Sequence, residues 1–347
     1  MKPFKTYNQQ LNKLREKGMI IPTGNEASKV KRILERENYY NIVNGYMTPF
    51  LKKDANGNII KPKEFVSNTT FDELYALFIF DRKIRNILLE HLLCFETHFK
   101  TTVAYRYTEV NTSPNSYLDF HSYTTNKRQT EEIVNLISSL SNQIKKNVSK
   151  THRRKAQDYV PNAIDHHLDD HDGVPLWVLV NFLTIGNMSY FYKALPHGIK
   201  NEIAQDFSKH LWREYNIPTK SRTTIRITDS TLEEAVKCVN YFRNICAHEE
   251  RLFNYKLYSV RQSMFNKTFN SFQQLRNKPT LSPNSLSGNL FTLLVILKLV
   301  LPKKNMKKLV RCINQSIEEY RKKENNFIVD DLIYMMGFPK DWNNYLG

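Results

Sequence analysis

The stretch from Thr70 to Val110, TFDELYALFIFDRKIRNILLEHLLCFETHFKTTVAYRYTEV, decides the fold class of this chain. Its apolar residues recur every three or four positions, the spacing that lines up side chains on one face of an α-helix. They are Leu74, Leu77, Phe78, Ile84, Leu88, Leu92, Phe95, Phe99 and Val103. The residues from Ser67 to Thr70 include side chains that commonly cap a helix N-terminus. The pattern therefore predicts one long amphipathic helix.

Other helical patterns flank this stretch, and strand signals are almost absent. Helices are predicted at 5–18, 26–37, 129–156, 177–195, 199–209, 230–248, 256–275 and 289–323. Asn56-Gly57 marks a turn with a small hairpin, and irregular stretches are expected at 111–125, 158–173 and 211–229. We therefore expect an all-α protein. We divide it into an N-terminal helical segment (1–60), a core (61–255) and a basic C-terminal helical region (256–347).

Positive charge dominates the composition, with 51 Lys and Arg against 34 Asp and Glu. Such an excess points to a polyanionic partner such as nucleic acid, although a merely solvated cationic surface is the alternative. Residues 256–325 hold fourteen Lys or Arg against three Asp or Glu, and residues 141–157 hold six cations and no acid. The candidate RNA-binding residues in these two clusters are Lys145, Lys146, Arg153, Arg154, Lys155, Lys303, Lys304, Lys307, Lys308 and Arg311. The interleaved aromatic residues of the C-terminal region, such as Phe265 and Phe269, are interpreted mainly as core.

Several classes of protein are disfavoured. The four cysteines are scattered without a CxxC pair, so neither a disulfide framework nor a zinc finger is predicted. The longest apolar run, from Leu290 to Leu301, is interrupted by Lys298 and is too short to cross a bilayer. The N-terminus lacks the apolar core of a signal peptide. Nucleotide-binding glycine loops and nucleophile elbows are not found. We expect a cytoplasmic protein that is not inserted in a membrane and needs no metal or cofactor.

The stretch from Tyr241 to Asn254, YFRNICAHEERLFN, carries the most informative group of polar residues. Arg243, Asn244 and His248 stand near a predicted helix end, and Asn244 and His248 are four apart, which places them on one helical face. A guanidinium matches phosphate oxygens, and an imidazole transfers protons near neutral pH. This set suits phosphodiester binding and proton transfer without a metal. The plainer interpretation is a helix end at which the arginine pairs with one of the two following glutamates and the histidine faces the helix dipole.

The Arg-Asn-x3-His pattern matches the signature of the HEPN ribonucleases, an arginine followed by a polar residue and, four to six residues on, a histidine. Four further stretches, at 39–46, 74–85, 95–97 and 175–189, resemble one branch of that group: the Abi-like abortive-infection proteins of the AbiD/AbiF type. They are, in order, YYNIVNGY, LYALFIFDRKIR, FET and PLWV leading to GNMS. The resemblance covers roughly residues 5–255.

This resemblance implies a HEPN-type helical bundle with helical N-terminal and basic C-terminal additions, and metal-independent cleavage of RNA. His248 would remove the proton of a ribose 2′-OH, Arg243 would stabilise the phosphoryl oxygens, and Asn244 would hold the phosphate or the histidine. A homodimer would combine two such sets in one composite site, and the products would carry 2′,3′-cyclic phosphate ends. Glu96, in the predicted long helix, is a supporting candidate that would orient His248 or pair with Arg243.

Two alternatives from other classes remain. The chain would bind RNA with little or no catalysis, docking a structured non-coding RNA that holds the nuclease in check, or it would sense phage components as a protein-interaction factor. Two further groups stay open within the sequence. The His166–Asp172 cluster is interpreted as a solvated loop, with a divalent metal site as the alternative. Arg85 and His91 satisfy the loose Arg-x-His pattern but are assigned mainly to helix packing.

Overall fold

The computed structural model describes residues 3–149, 158–259, 261, 263–282, 285–323 and 329–347. Within these residues no strand is formed, and extended segments meet only in three isolated bridges. The all-α class is therefore confirmed. The helices are α1 (Tyr7–Glu16), α2 (Asn25–Glu37), α3 (Phe71–Val110), α4 (Thr130–Asn147), α5 (Ala163–Asp170), α6 (Leu176–Leu179), α7 (Ile185–Ala194), α8 (His197–Tyr215), α9 (Asp229–Ala247), α10 (Ser263–Leu275), α11 (Leu290–Val300), α12 (Lys303–Arg321), α13 (Val329–Met335) and α14 (Trp342–Leu346).

The chain forms two compact units. Unit 1 contains Met1–Leu88, Ile245–Tyr255 and Lys308–Trp342, and unit 2 contains Leu89–Asn244, Lys256–Lys307 and Asn343–Gly347. Helices α3, α9, α12 and α14 each contribute residues to both units. The three-part division expected from the sequence stays a prediction, because a grouping of this kind does not test which segments fold alone.

Unit 1 packs α1 and α2 against each other and contains the first half of α3. Helix α3 begins with a capping box, since the Glu73 amide donates to Thr70 Oγ1 (3.3 Å) and the Thr70 amide donates to Glu73 Oε2 (2.8 Å). Its apolar stripe is buried as the spacing predicts. The ring of Phe80 packs on Tyr320, with centroids 4.9 Å apart. The core of unit 1 includes Leu14, Leu34, Ile42, Phe65, Leu74, Leu77, Ile84, Leu88, Phe253, Leu309 and Ile313.

Unit 2 is built around the second half of α3. Phe95 and Phe99 of this helix meet Phe207 of α8, with ring centroids 5.9 and 6.4 Å apart, and Phe99 also contacts Tyr192 of α7 at 5.5 Å. Helix α11 is buried at every position from Leu290 to Val300, as expected for a short apolar helix inside a protein. The phenylalanines of α10, Phe265, Phe269 and Phe272, are buried as well, which confirms their interpretation as core.

Two expectations near the middle of the chain are wrong. The helix predicted to reach residue 156 ends at Asn147, where Val148 turns to extended backbone, and residues 150–157 of that stretch lie outside the described residues. The stretch 158–173, expected to be irregular, contains α5, whose N-terminus is capped by Asn162 through bonds from the amides of Ile164 (2.8 Å) and Asp165 (3.1 Å). Capping by asparagine makes a short polar helix possible where the apolar pattern is weak.

The single helix expected over 177–195 is interrupted. Leu183 is extended, and Thr184 then caps α7: the Asn187 amide donates to Thr184 Oγ1 (3.1 Å), and the Thr184 amide donates to Asn187 Oδ1 (3.1 Å). This capping box starts a new helix inside an apolar run. The interruption therefore arises from local hydrogen bonding that hydrophobic periodicity does not report.

The remaining differences concern helix ends. Helix α8 extends to Tyr215, beyond the predicted end at 209 and into the stretch expected to be irregular. The helix expected from 256 begins only at Ser263. The helix expected over 289–323 is two, α11 and α12, because Leu301 is extended and Pro302 has no amide to continue the helical bonding. The turn at Asn56-Gly57 forms as expected, closed by the Asp54 amide on the Asn58 carbonyl (2.8 Å).

Candidate functional site

Arg243 and Asn244 of the candidate motif lie on helix α9. It forms over Asp229–Ala247, close to the predicted 230–248, and Thr228 caps its start by accepting from the Thr231 amide (3.1 Å). Its apolar face, with Leu232, Val239 and Phe242, is buried in unit 2. Arg243 is half-buried and Asn244 is exposed in the last turns of the helix. The burial of one face therefore leaves the motif residues at the edge of the core.

Arg243 is paired with Glu96, the residue predicted to support it. The Nε atom of Arg243 lies 3.6 Å from Glu96 Oε2, and Lys100 Nζ lies 2.7 Å from Glu96 Oε1. Within the described part of the chain neither Arg243 Nε nor Glu96 Oε2 has a hydrogen-bond partner, so charge rather than a directional bond holds the arginine. The side chain of Glu96 is 7% exposed and that of Arg243 is 27% exposed. The buried carboxylate of Glu96 thus lies between two cations, Lys100 and Arg243. Part of the Arg243 side chain remains accessible to solvent.

His248 belongs to unit 1, and the helix ends just before it. Ala247 is the last residue of α9, and His248 begins a turn in which Glu249 adopts a left-handed φ of 54°. The turn closes when the Glu250 amide donates to the Ile245 carbonyl (3.0 Å). The expectation that Asn244 and His248 share a helical face is therefore wrong in detail, because His248 lies outside the helix. Its side chain is exposed.

The plainer interpretation of the motif is correct for His248, which follows the C-terminal end of α9, but wrong for Arg243. It paired Arg243 with Glu249 or Glu250, whereas the ion pair of Arg243 is with Glu96. Glu249 instead pairs with Arg82, 3.3 Å away, which also binds Glu37 at 2.7 Å. Glu249 is thus engaged within unit 1, and the arginine of the motif has a separate, buried counter-charge.

A buried network of hydrogen bonds connects the segment that follows His248 to the first half of α3. Asp81 Oδ2 accepts from the hydroxyl of Tyr46 (2.6 Å), from the amide of Leu252 (3.0 Å) and from Arg85 Nη1, which also donates to the Tyr46 hydroxyl (3.0 Å). Burial raises the pKa of Asp81, and the guanidinium of Arg85 opposes that rise. The ring of Tyr46 stacks on Phe253 at 5.7 Å.

This network was not predicted. The signal for it was a charged pair four residues apart, Asp81 and Arg85, on the apolar face of a predicted helix. Arg85 is the arginine of the second Arg-x-His pattern. It is 1% exposed and bound to Asp81 and Tyr46. His91 is also buried. Both side chains are therefore packed inside the protein, in keeping with the preferred assignment to helix packing.

The His166–Asp172 cluster lies mostly on α5, so the expected loop is wrong, but most of its residues are exposed, as the solvated interpretation expects. His166 Nδ1 lies 2.8 Å from Asp170 Oδ2, and His167 Nδ1 lies 2.8 Å from the Ala163 carbonyl. These are contacts one helical turn apart within the helix. In the described part of the chain no group of three or more His, Cys, Asp or Glu residues is arranged to hold a metal ion.

The candidate RNA-binding residues are mostly exposed. Lys145 and Lys146 lie in the last turn of α4, and Lys304, Lys307, Lys308 and Arg311 are exposed on α12, while Lys303 is half-buried. Arg153, Arg154 and Lys155 lie outside the described residues. Exposure is what contact with a phosphate backbone needs, although solvated lysines share it. Their role in binding RNA stays a prediction.

An open groove of about 790 Å³ in unit 2 was also not predicted. It lies beside the Glu96 pair, since Glu96 and Lys100 both line it. Trp177 and Tyr105, which are 54% and 64% exposed, contribute aromatic surface to its wall. The groove therefore offers an apolar surface next to the carboxylate that holds Arg243.

Comparison with known proteins adds one finding. A family model described as Abi-like protein matches residues 32–254, which is well over half of the 347 residues. No curated protein and no solved structure matches the chain. Among the described residues no helix combines the length and apolar character needed to cross a membrane. The matched region includes α3, α9 and the candidate motif.

Proposed function

The chain belongs to the Abi-like protein family, and from that premise we propose that it is a metal-independent endoribonuclease of the HEPN type acting in abortive infection. Family membership supports the abortive-infection role. The observation that carries the nuclease proposal is the pairing of Arg243 with the buried carboxylate of Glu96 beside a partly exposed guanidinium. An arginine held near a buried carboxylate is already close to its working position before substrate arrives, which lowers the cost of organising the site.

The proposed chemistry is an attack of the ribose 2′-oxygen on the neighbouring phosphorus. His248 takes the proton from the 2′-OH, the oxygen forms a bond to phosphorus, and the bond to the 5′-oxygen breaks. Arg243 stabilises the negative charge on the phosphoryl oxygens, and Asn244 donates a hydrogen bond to the same phosphate. Both Asn244 and His248 are exposed, as contact with RNA requires. The products are a 2′,3′-cyclic phosphate and a 5′-OH.

One set of these residues is short of an acid for the leaving 5′-oxygen. We propose that a second copy of the chain supplies it, so that two motifs form one composite site across a two-fold axis. Light scattering should then report a dimer. Adding inactive His248→Ala protein to wild type should lower the activity by more than dilution alone, because a mixed dimer holds only one of the two motif histidines that the composite site needs. A fully active monomer would contradict the composite site.

The decisive experiment is cleavage of total and structured RNA in EDTA, with the fragment ends mapped. Wild-type protein and the control His166→Ala, which removes another exposed histidine, should cut and leave cyclic phosphates. His248→Ala should not cut, while its RNA affinity stays nearly unchanged. If His248→Ala cuts as fast as wild type, His248 is not the base.

The second candidate function is RNA binding with little or no catalysis. The exposed cations of α12, among them Lys304 and Lys308, favour it. Here the chain docks a structured non-coding RNA, and that RNA holds the nuclease in check. Neutralising these lysines should weaken RNA binding and its salt dependence without changing cleavage of a saturating substrate. Tight, salt-sensitive binding by a wild-type protein that never cuts would favour this function over the first.

A further inference from the structure

A group of five cationic side chains lies in unit 2, and three of them lie against the ring of Tyr215, the last residue of α8. The charged groups of Arg276, Lys298 and Lys303 lie 5.5, 5.3 and 5.8 Å from the centre of this ring. Lys278 and Lys307 belong to the same group, because their charges act on Lys298. These five residues come from the turn after α10, from α11 and from the start of α12. The fold therefore brings together cations that are up to about thirty residues apart in the sequence.

The group is short of negative charge. No Asp or Glu side chain forms an ion pair with any of the five cations in the part of the chain that the structure describes. One carboxylate lies at this place: Oε2 of Glu214 accepts from the main-chain amide of Lys303 (2.8 Å) at the start of α12. Lys298 Nζ donates to the carbonyls of Leu346 (2.7 Å) and Gly347 (3.4 Å). The five positive charges thus outnumber the carboxylates that these contacts bring to the group.

Two further observations indicate that this arrangement destabilises the folded protein when no ligand is bound. Lys298 is 3% exposed, and burial together with the four neighbouring cations lowers its pKa to about 8. Tyr215 is 6% exposed, and its hydroxyl has no hydrogen-bond partner among the residues that the structure describes. Buried polar groups normally find partners, and clustered like charges repel, so an anion at this place would relieve both.

We propose that Arg276, Lys278, Lys303 and Lys307, together with the buried Lys298, form a binding site for a phosphate group. A guanidinium and several ammonium groups offer many donors, and a phosphate presents several charged oxygens to match them. The ligand is either a phosphodiester of an RNA backbone or a small phosphorylated molecule. The site contains none of the residues proposed for cleavage, and it stands whether or not the chain is a nuclease.

The competing explanation is that the cations stack on Tyr215 only to stabilise the fold, as cation–π contacts do. The two explanations predict opposite effects of removing a charge. If the cations are stacked for stability, Lys303→Gln lowers the melting temperature. If they form an unfilled anion site, Lys303→Gln relieves repulsion, and the protein without ligand is as stable as wild type or more stable.

The test uses the full chain as wild type, Lys303→Gln, Arg276→Gln and the control Lys267→Gln. Lys267 is an exposed lysine of α10, and its replacement changes the net charge equally. The first probe is pyrophosphate in low-salt buffer, followed by thermal melting and titration calorimetry. We expect pyrophosphate to bind and stabilise wild type and the control. Binding to the two site variants should be weaker by at least about tenfold, the size expected for the loss of one charged hydrogen bond.

The second probe, a short labelled single-stranded RNA, identifies the source of the phosphate. Displacement of the RNA by pyrophosphate, with weaker RNA binding in both site variants, assigns the site to the RNA backbone. Unchanged RNA binding, with loss of pyrophosphate binding, assigns it to a small phosphorylated molecule. The proposal is overturned if both site variants bind both probes as wild type does. It is also overturned if they melt well below wild type without ligand, because the cations would then be structural.

Discussion

Replacing Glu96 by glutamine tests whether a buried carboxylate holds the candidate arginine. The change keeps the shape of the side chain and removes the charge that lies 2.7 Å from Lys100 and 3.6 Å from Arg243. Removing one partner of a fully buried ion pair costs roughly 3–5 kcal/mol, whereas exposed pairs contribute less than about 1 kcal/mol. The side chains of Lys100 and Arg243 are 16% and 27% exposed, so the case is intermediate. We expect Glu96→Gln to lower the free energy of unfolding by about 2 kcal/mol.

Urea denaturation of wild type, Glu96→Gln and a matched control measures this effect. The control is Glu109→Gln, on the same helix, whose carboxylate lies 2.8 Å from Arg106 but whose side chain is 50% exposed. It should lose less than about 0.5 kcal/mol. Glu96→Gln should also slow RNA cleavage, because Arg243 loses the charge that orients it. A loss of stability no larger than that of the control would refute the electrostatic reasoning. Cleavage at the wild-type rate would remove Glu96 from the site.

Three other predictions follow from the packing of unit 2. Burial lowers the pKa of His98, which packs on Phe207, from 6.5 to about 4. The unfolded chain therefore takes up a proton more readily, so stability should be intact above pH 6.5 and fall by about 1–2 kcal/mol as the pH drops towards 4, after allowance for partial exposure. Urea melts of His98→Gln should show a shallower fall, and an equal fall would assign it to other groups. Gly173→Ala should destabilise by roughly 2 kcal/mol or more, because φ is 146° and a Cβ would lie 2.1 Å from the side-chain nitrogen of Asn115; unchanged thermal melting would contradict this. Thr184→Ala should cost about 1 kcal/mol by uncapping α7, whereas Thr184→Ser should cost much less, as chemical denaturation of the pair would reveal.

Periodicity predicted the elements that are long and one-sided. Helix α3 was foreseen almost to the residue because its apolar stripe is regular and the capping signal stands directly before it. Helix α5 and the interruption before α7 were not foreseen. They depend on hydrogen bonds from Asn162 and Thr184 to nearby amides, and such local bonds leave no trace in an apolar pattern.

The candidate site was predictable in part. The motif residues and Glu96 were identified from spacing and resemblance, and the structure adds the contact between Glu96 and Arg243. The cations around Tyr215 could not be assembled from the sequence, because they come from separate helices that only folding brings together. The sequence did single out Lys298 as an interruption of an apolar run, and that interruption marks the buried centre of the group.

The buried network around Asp81 has a consequence for how members of the family can differ from one another. Asp81 and Arg85 neutralise each other where no solvent reaches them, so losing either one alone leaves a charge stranded in the core. Selection should therefore remove single replacements at these positions, whereas joint replacement by an uncharged pair of similar volume should be tolerated. We therefore expect the two positions to covary among relatives. Relatives should keep both Asp81 and Arg85 or neither of them. This should hold whether or not they keep His248.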